Sequence, residues 1–269
     1  MKSNVSLLTI TKNAQETLEK TLLSVEGLVD KIIIIDDYST DRTLAIAKRY
    51  RAKIFLHHEK DFGKQKAYGL KKCQNKWVLV LDSDEFLSPA LKQEITLLFK
   101  TKKTDDYAGF LIPFQNHFLG RKVNYGGENY KKLIFFKKDA VEIRPALVHE
   151  KFEVKKGKVG ELKNKVYHYS YRSLWQMFKK FTDYGLREAK QKLEKNEKIT
   201  LKKLFLYAPH MFYARFIKDK GYKDGLFRIP LDLGFAYMEF LSYWGLLILK
   251  LKRLFTFLSF FTLRIGGRV

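Results

Sequence analysis

A chain of 269 residues with 46% hydrophobic content has apolar material for one large or two small globular domains, which excludes a disordered chain. Its 52 Lys and Arg against 29 Asp and Glu leave a net charge of +23, a field that draws nucleic acid, anionic lipid or phosphorylated substrates without choosing among them. The lone Cys73 excludes an intrachain disulfide and a cysteine-rich zinc site, and the apolar run within Met1–Ile10 is too short for a signal peptide, so the expectation is a cytoplasmic protein.

Val5–Thr11 reads as a first strand, and Asn13 with Glu16 three residues on forms a capping-box-like start for a helix that puts Leu18, Leu22, Val25 and Leu28 on one face. Lys31–Ile35 is the most β-branched run of the chain and ends at Asp36-Asp37. Ser39, Thr40 and Asp41 offer capping groups to the next helix, which packs through Leu44, Ile46, Ala47 and Tyr50. Lys53–His57 predicts a third strand and Gly63–Lys72 a short basic helix. Trp77–Leu81 predicts a fourth strand, buried on both faces, that stops abruptly at Asp82, Asp84 and Glu85. This β-α-β-α-β-α-β alternation implies right-handed crossovers and a mostly parallel sheet, with Thr11, Asp37 and Asp82–Asp84 along one edge.

A helix over Pro89–Phe99, capped by Ser88, is followed by strand-like Tyr107–Ile112 and Lys132–Phe136. Gln115-Asn116-His117 and Tyr125–Asn129 between them read as irregular walls of a substrate site or as structural turns. Val148–Phe152 holds His149 and Glu150 together; it is not a zincin motif, because position 153 is Glu. From Ser173 the pattern is helical, with a second helix over Leu201–Lys218, a turn at Gly221–Gly225 and a last helix from Pro230 to about Leu263. The apolar run Phe240–Leu249 is bracketed by Glu239 and Lys250 too closely to span a bilayer. Residues 201–269 carry 12 Lys and Arg against 4 Asp and Glu, interleaved with aromatics, as expected of a helix lying on anionic lipid; a helical core or an oligomer contact is the competing reading.

Carboxylates crowded beyond the carboxyl ends of parallel strands repel unless a cation joins them, and this is where open α/β sheets bind ligands. Hard oxygen ligands at this spacing suit Mg2+ or Mn2+ carrying a diphosphate, whereas the plain alternative is a solvated turn before a helix. A haloacid-dehalogenase motif would need Thr where Phe86 stands, there is no Walker A loop, and a receiver-like domain leaves the second acidic strand end unexplained. A nucleic-acid binder accounts for charge and aromatics but not for carboxylates that repel phosphate.

With those residues in view, Leu8–Asn13, Ile34–Thr43 and Leu81–Glu85 resemble the opening strand, the sugar-nucleotide stretch and the metal-binding DxD of a family 2 glycosyltransferase of the GT-A fold. Asp61–Lys66 and the later Val148-His149-Glu150 further resemble the subgroup that includes lipopolysaccharide-core β-1,4-glucosyltransferases. The resemblance covers residues 4–100 most fully, continues to 170 and is general beyond. It implies a catalytic domain over 1–170, with a nucleotide-sugar half (1–100) and an acceptor half (101–170), and a helical membrane-associating region over 171–269. It also implies that Thr11, Asp36 and Asp37 hold the nucleoside, with Lys66 near the nucleotide. Asp82 would meet the ribose or a metal-bound water, Asp84 the Mg2+ or Mn2+ ion, and Glu150 would act as general base. The acceptor side has His149-Glu150 in place of the family's commoner Glu-Asp pair, so Glu128 is a reserve base, and His149 or His168 could join the metal. The implied reaction is inverting transfer of a sugar, glucose by this resemblance, from a UDP-linked donor to a lipopolysaccharide-core or other envelope glycan or glycolipid. It would take place on the inner face of the cell membrane, with no nucleic-acid partner.

Overall fold

The computed structural model describes residues 4–144 and 151–265, within two compact units, Met1–Ser170 and Tyr171–Val269. The first unit opens with β1 (Val5–Thr11), α1 (Leu18–Ser24), β2 (Lys31–Asp36), α2 (Thr43–Arg49), β3 (Lys53–Leu56), α3 (Phe62–Lys72) and β4 (Trp77–Val80). Strand β1 is parallel to β2 and to β4, and β2 is parallel to β3. Alternate residues feed opposite faces, as the pleat requires. Leu7, Ile34 and Leu79 pack with Leu18 and Leu22 on one side, whereas Leu8, Ile33, Val78 and Val80 pack with Cys73 on the other. Helix α3 comes close to that second face at Gly69, where a Cβ would lie 2.4 Å from Leu8 Cδ1 and 2.8 Å from Ile35 Cγ1.

The unit continues with β5 (Glu85–Leu87), α4 (Pro89–Lys100), β6 (Tyr107–Phe118), β7 (Arg121–Val123), β8 (Lys131–Lys137), β9 (Val141–Arg144), β10 (Lys151–Val154), β11 (Lys158–Glu161) and β12 (Val166–Tyr171). The sheet order is β3-β2-β1-β4-β8-β6-β12-β5, with β7 and β11 also on β6, and β9 and β10 form a separate antiparallel pair. The sheet is thus parallel as far as β4 and antiparallel where β8 joins β4 and β6. Strand β12 runs antiparallel to β5 and sets His168 opposite Glu85.

Two local expectations are corrected. Asn13 caps nothing: its φ is +49°, its side chain accepts from Thr40 N at 2.8 Å, and α1 starts only at Leu18. An Asn tolerates the left-handed region and bridges backbone there, so it serves the loop instead of the helix. Gln115-Asn116-His117 is no loop but the buried end of β6; polar composition misleads because each side chain finds a partner inside the fold, as Gln115 Nε2 does at Val123 O, 3.0 Å away. Glu85, among the acids that follow the predicted fourth strand, opens β5 and is 2% exposed.

The second unit contains α5 (Leu174–Glu194), α6 (Leu201–Phe205), α7 (Tyr207–Tyr213) and α8 (Ile229–Ile265). The single helix expected over Leu201–Lys218 is interrupted at Leu206, because Pro209 has no N–H to give the Phe205 carbonyl. Ser173 caps α5 by accepting from Gln176 N. Helices α5 and α8 meet at glycines, where a Cβ on Gly234 would lie 2.5 Å from the Phe181 ring and one on Gly185 2.8 Å from Met238 O. Arg228 and Asp232, both fully buried, pair at 2.8 Å, with Arg215 and Asp224 completing the network. Among the described residues no helix is long and apolar enough to cross a membrane.

The α3 approach makes a test. Gly69→Val is expected to destabilise the protein by about 1–3 kcal/mol through overpacking against Leu8 and Ile35, read from the urea midpoint. An unchanged midpoint would mean that α3 shifts outward without loss.

Candidate active site

The parallel register of β1 and β2 brings Thr11 level with Asp36. Asp36 is fully buried; its Oδ2 accepts from Thr11 Oγ1 at 2.7 Å and Ser39 Oγ at 2.6 Å, and its Oδ1 from Ser39 N at 2.7 Å. Those donors occupy the carboxylate, so Asp36 holds strand ends and loop together. Its neighbour Asp37 is the one presented: Lys12 Nζ lies 2.7 Å from its Oδ2 and His58 Nδ1 2.6 Å from its Oδ1. Burial alone would raise the Asp37 carboxyl, but the hydrogen bonds and charge of Lys12 and His58 outweigh it and hold the pKa below the ordinary 3.8.

A second acidic group forms at the end of β4. Asp61 caps α3 by accepting from Lys64 N, and the helix then carries the nearly buried Lys66, whose Nζ lies 2.8 Å from Asp82 Oδ1. Asp82 N donates to Glu85 Oε2 at 3.0 Å, while Glu85 Oε1 is 3.5 Å from Lys132 Nζ. Burial would raise the Asp82 carboxyl; Lys66 and Lys132 outweigh it, against opposition from Asp84, and lower its pKa. Burial likewise works against the Lys132 ammonium, but Glu85, Tyr130 and Asp82 prevail and raise its pKa.

Asp84 faces a different partner. His168 Nε2 lies 3.5 Å from its Oδ1, and Tyr169 N donates to its backbone oxygen. The other ring nitrogen of His168 meets Asn116 Oδ1 at 3.0 Å, and Asn116 Nδ2 donates to Glu128 Oε2 at 2.6 Å. Among the described residues no three His, Cys, Asp or Glu side chains are grouped to hold a metal. One carboxylate and one imidazole, with coordination positions left for phosphate oxygens and water, nevertheless fit a six-coordinate divalent ion, and the nitrogen suits Mn2+ better than Mg2+. His149 and Glu150 lie outside the described residues.

Sequence reading had not found Lys12, His58, Lys132 or Tyr130, and had placed Asn116 only in an irregular wall of a substrate site. Only Lys12 carried a local signal, as the cation following the first strand; the others enter through long-range pairing.

The family model for Glycosyl transferase family 2 matches residues 6–150, more than half of the chain. The chain belongs to glycosyl transferase family 2. An uncharacterized glycosyltransferase of Rickettsia felis is 28% identical over 248 residues, covering 88% of this chain and 87% of that protein. A lipopolysaccharide core biosynthesis glycosyltransferase of Rhizobium meliloti is 24% identical over 239 residues, covering 85% of this chain and 84% of that one. The crystal structure of S. aureus TarS 1-349 in complex with UDP-GlcNAc aligns over 91% of this chain and 90% of that chain, with 12% identity and a TM-score of 0.48.

As a family 2 glycosyltransferase, the chain is an enzyme with the GT-A type of α/β fold. Its Asp37 gives a pH test. A folded-state pKa below the unfolded one contributes stability that is present above the unfolded pKa and is lost as pH falls through the folded value. The glycosyltransferase with Asp37→Asn is therefore expected to show a shallower loss of stability below about pH 4 than the wild type, measured by urea unfolding across pH. Parallel acid limbs would show that Lys12 and His58 do not hold this carboxylate.

Proposed function

We propose that this glycosyltransferase moves a sugar with inversion, glucose being the first candidate, from a UDP-linked donor to a lipopolysaccharide-core or other envelope glycan or glycolipid, using Mn2+ or Mg2+. The observation that carries the reading is the pair of acidic groups at the ends of β2 and β4, in each of which one carboxylate, Asp36 or Asp82, is already engaged. Asp37 acts as acceptor for the nucleoside, framed by Thr11 and Asp36, and Asp84 acts with His168 as the holder of the cation. A divalent ion held there supplies positive charge against the diphosphate leaving group. Lys66 adds a second positive group beside the nucleotide, and Asp82 meets the ribose or a metal-bound water. The relative in Rhizobium meliloti, named for lipopolysaccharide core biosynthesis, supports the acceptor class.

Inversion requires a base on the acceptor side and no enzyme nucleophile. The role falls to Glu150, which takes the acceptor hydroxyl's proton as its oxygen attacks the anomeric carbon and the nucleoside diphosphate departs. Glu150→Gln is expected to lower turnover by about a hundredfold while donor binding and fold persist. Near-normal turnover would remove Glu150 from the role. Mass spectrometry of products from a panel of nucleotide sugars tests the donor. Asp84→Asn is expected to abolish the Mn2+-dependent part of UDP affinity by calorimetry; a folded variant with that part intact would overturn the metal assignment.

The second unit supports a peripheral seat on the inner face of the membrane. Leu201 is 75% exposed and Phe205 and Leu206 are each 57% exposed, beside Lys202 and Lys203, the pairing of apolar and basic groups that anionic lipid binds. Since α8 packs closely on α5 at Gly185 and Gly234, point changes test this surface better than truncation. Leu201→Glu with Phe205→Glu is expected to release the enzyme from anionic liposomes, and wild-type binding should weaken as salt rises. Equal sedimentation of both forms would leave the strip without this role.

A further inference from the structure

We propose that Glu128 and Asn116 are positioning residues that fix the tautomer of His168, so that its bare Nε2 faces Asp84 across the place where the cation is held. The inference deepens the reading above and rests on its assignment of Asp84 and His168.

Strand β6, which carries Asn116, lies beside β12, which carries His168. Asn116 is 6% exposed and Glu128 is 8% exposed, so their polar atoms must be satisfied within the protein. Asn116 Nδ2 donates to Glu128 Oε2 at 2.6 Å. A carboxylate oxygen accepts, so this bond decides which end of the amide faces Glu128; turned the other way, two acceptors would meet. The amide oxygen is thereby directed at His168 Nδ1, 3.0 Å away, and at the Tyr130 hydroxyl, also 3.0 Å away.

A carbonyl oxygen has no proton to give, so His168 Nδ1 must carry one. The Tyr130 hydroxyl is a second donor to the same oxygen, and burial pushes its pKa up to about 12, which keeps it a donor. Ser170 Oγ lies 2.7 Å from Nε2 and 3.0 Å from Nδ1; a hydroxyl donates or accepts, so it serves either tautomer and selects neither. With the proton on Nδ1, Nε2 is the ring nitrogen that can ligate, and it lies 3.5 Å from Asp84 Oδ1. Two acceptors at that separation favour a shared cation. The arrangement does for this imidazole what a carboxylate or backbone carbonyl does for metal-ligating histidines generally, fixing the ring and its tautomer from behind.

This role also separates Glu128 from that of a general base. Glu128→Gln keeps an oxygen to accept from Asn116, so the amide orientation survives; Glu128→Leu and Asn116→Ala remove it. In 15N spectra of the metal-free full chain, with the His168 signals identified by a His168→Asn variant, the wild type and Glu128→Gln are expected to show the proton on Nδ1. Glu128→Leu and Asn116→Ala are expected to move it wholly or partly to Nε2. Mn2+ affinity, read by electron paramagnetic resonance, should fall about 10- to 100-fold in Asn116→Ala and Glu128→Leu and stay within about twofold in Glu128→Gln. An unchanged tautomer in Asn116→Ala, or a Glu128→Gln variant as impaired as Glu128→Leu, would overturn the proposal. If Asp84→Asn spares Mn2+ binding while Asn116→Ala still moves the proton, the metal reading fails and the tautomer assignment stands.

Discussion

The buried carboxylate of Asp36 is the constraint on which the ends of β1 and β2 depend. A charge taken out of water is tolerated only when hydrogen bonds replace its hydration, and here Thr11 Oγ1, Ser39 Oγ and Ser39 N do so. The three bonds tie the end of β1, the end of β2 and the following loop at one point. The loops after β1 and β2 each turn through left-handed backbone, at Asn13 and Tyr38 with φ of +49° and +53°, while Asp37 N donates to Thr11 O at 2.8 Å. Asp37 is thus aimed by its neighbour's satisfaction. Removing the Asp36 carboxylate would leave two hydroxyls and an amide to find new partners in a dry place, and Asp37 would lose its support.

Because β1 lies between β2 and β4, the two acidic strand ends are neighbours, and the protein must keep them from repelling one another. It does so with lysines: Lys12 on Asp37, Lys66 on Asp82, Lys132 on Glu85. Asp84 lies beside the imidazole of His168, with Nε2 3.5 Å from its Oδ1, a group that ligates metals when neutral.

The first hundred residues were legible because their signals are local. Each strand is an apolar run that stops at acids, and Lys31–Ile35 with Asp36-Asp37 could be read without knowing what lies beside it. The pairings beyond them were less so. Glu85 and Lys132 are 47 residues apart and Asn116 and His168 are 52 apart, so neither pair has a sequence signature. Gln115-Asn116-His117 looked like a loop because polarity is a poor guide where side chains bond to one another inside a sheet. Asn13 fitted a capping pattern, yet the loops from Ser39 and Thr40 offered its amide and side chain better partners than the helix did. In the second unit Pro209 was visible, but its effect on one particular carbonyl required helix register.

The second unit inverts the ordinary distribution of polarity. Arg228 and Asp232 are fully buried while Leu226, Leu201 and Trp175 are 77%, 75% and 74% exposed. A buried ion pair is weak evidence for stability, since apolar residues of similar volume often do as well. The network around Arg228 instead gives specificity of shape: Arg215 and Arg228 converge on Asp232, and a Cβ on Gly221 would lie 2.8 Å from Arg228 Nε, so one turn conformation satisfies the set. Apolar side chains that could have filled such a centre stand outside it, Leu201 beside Lys202 among them, and stability within the unit does not account for that arrangement.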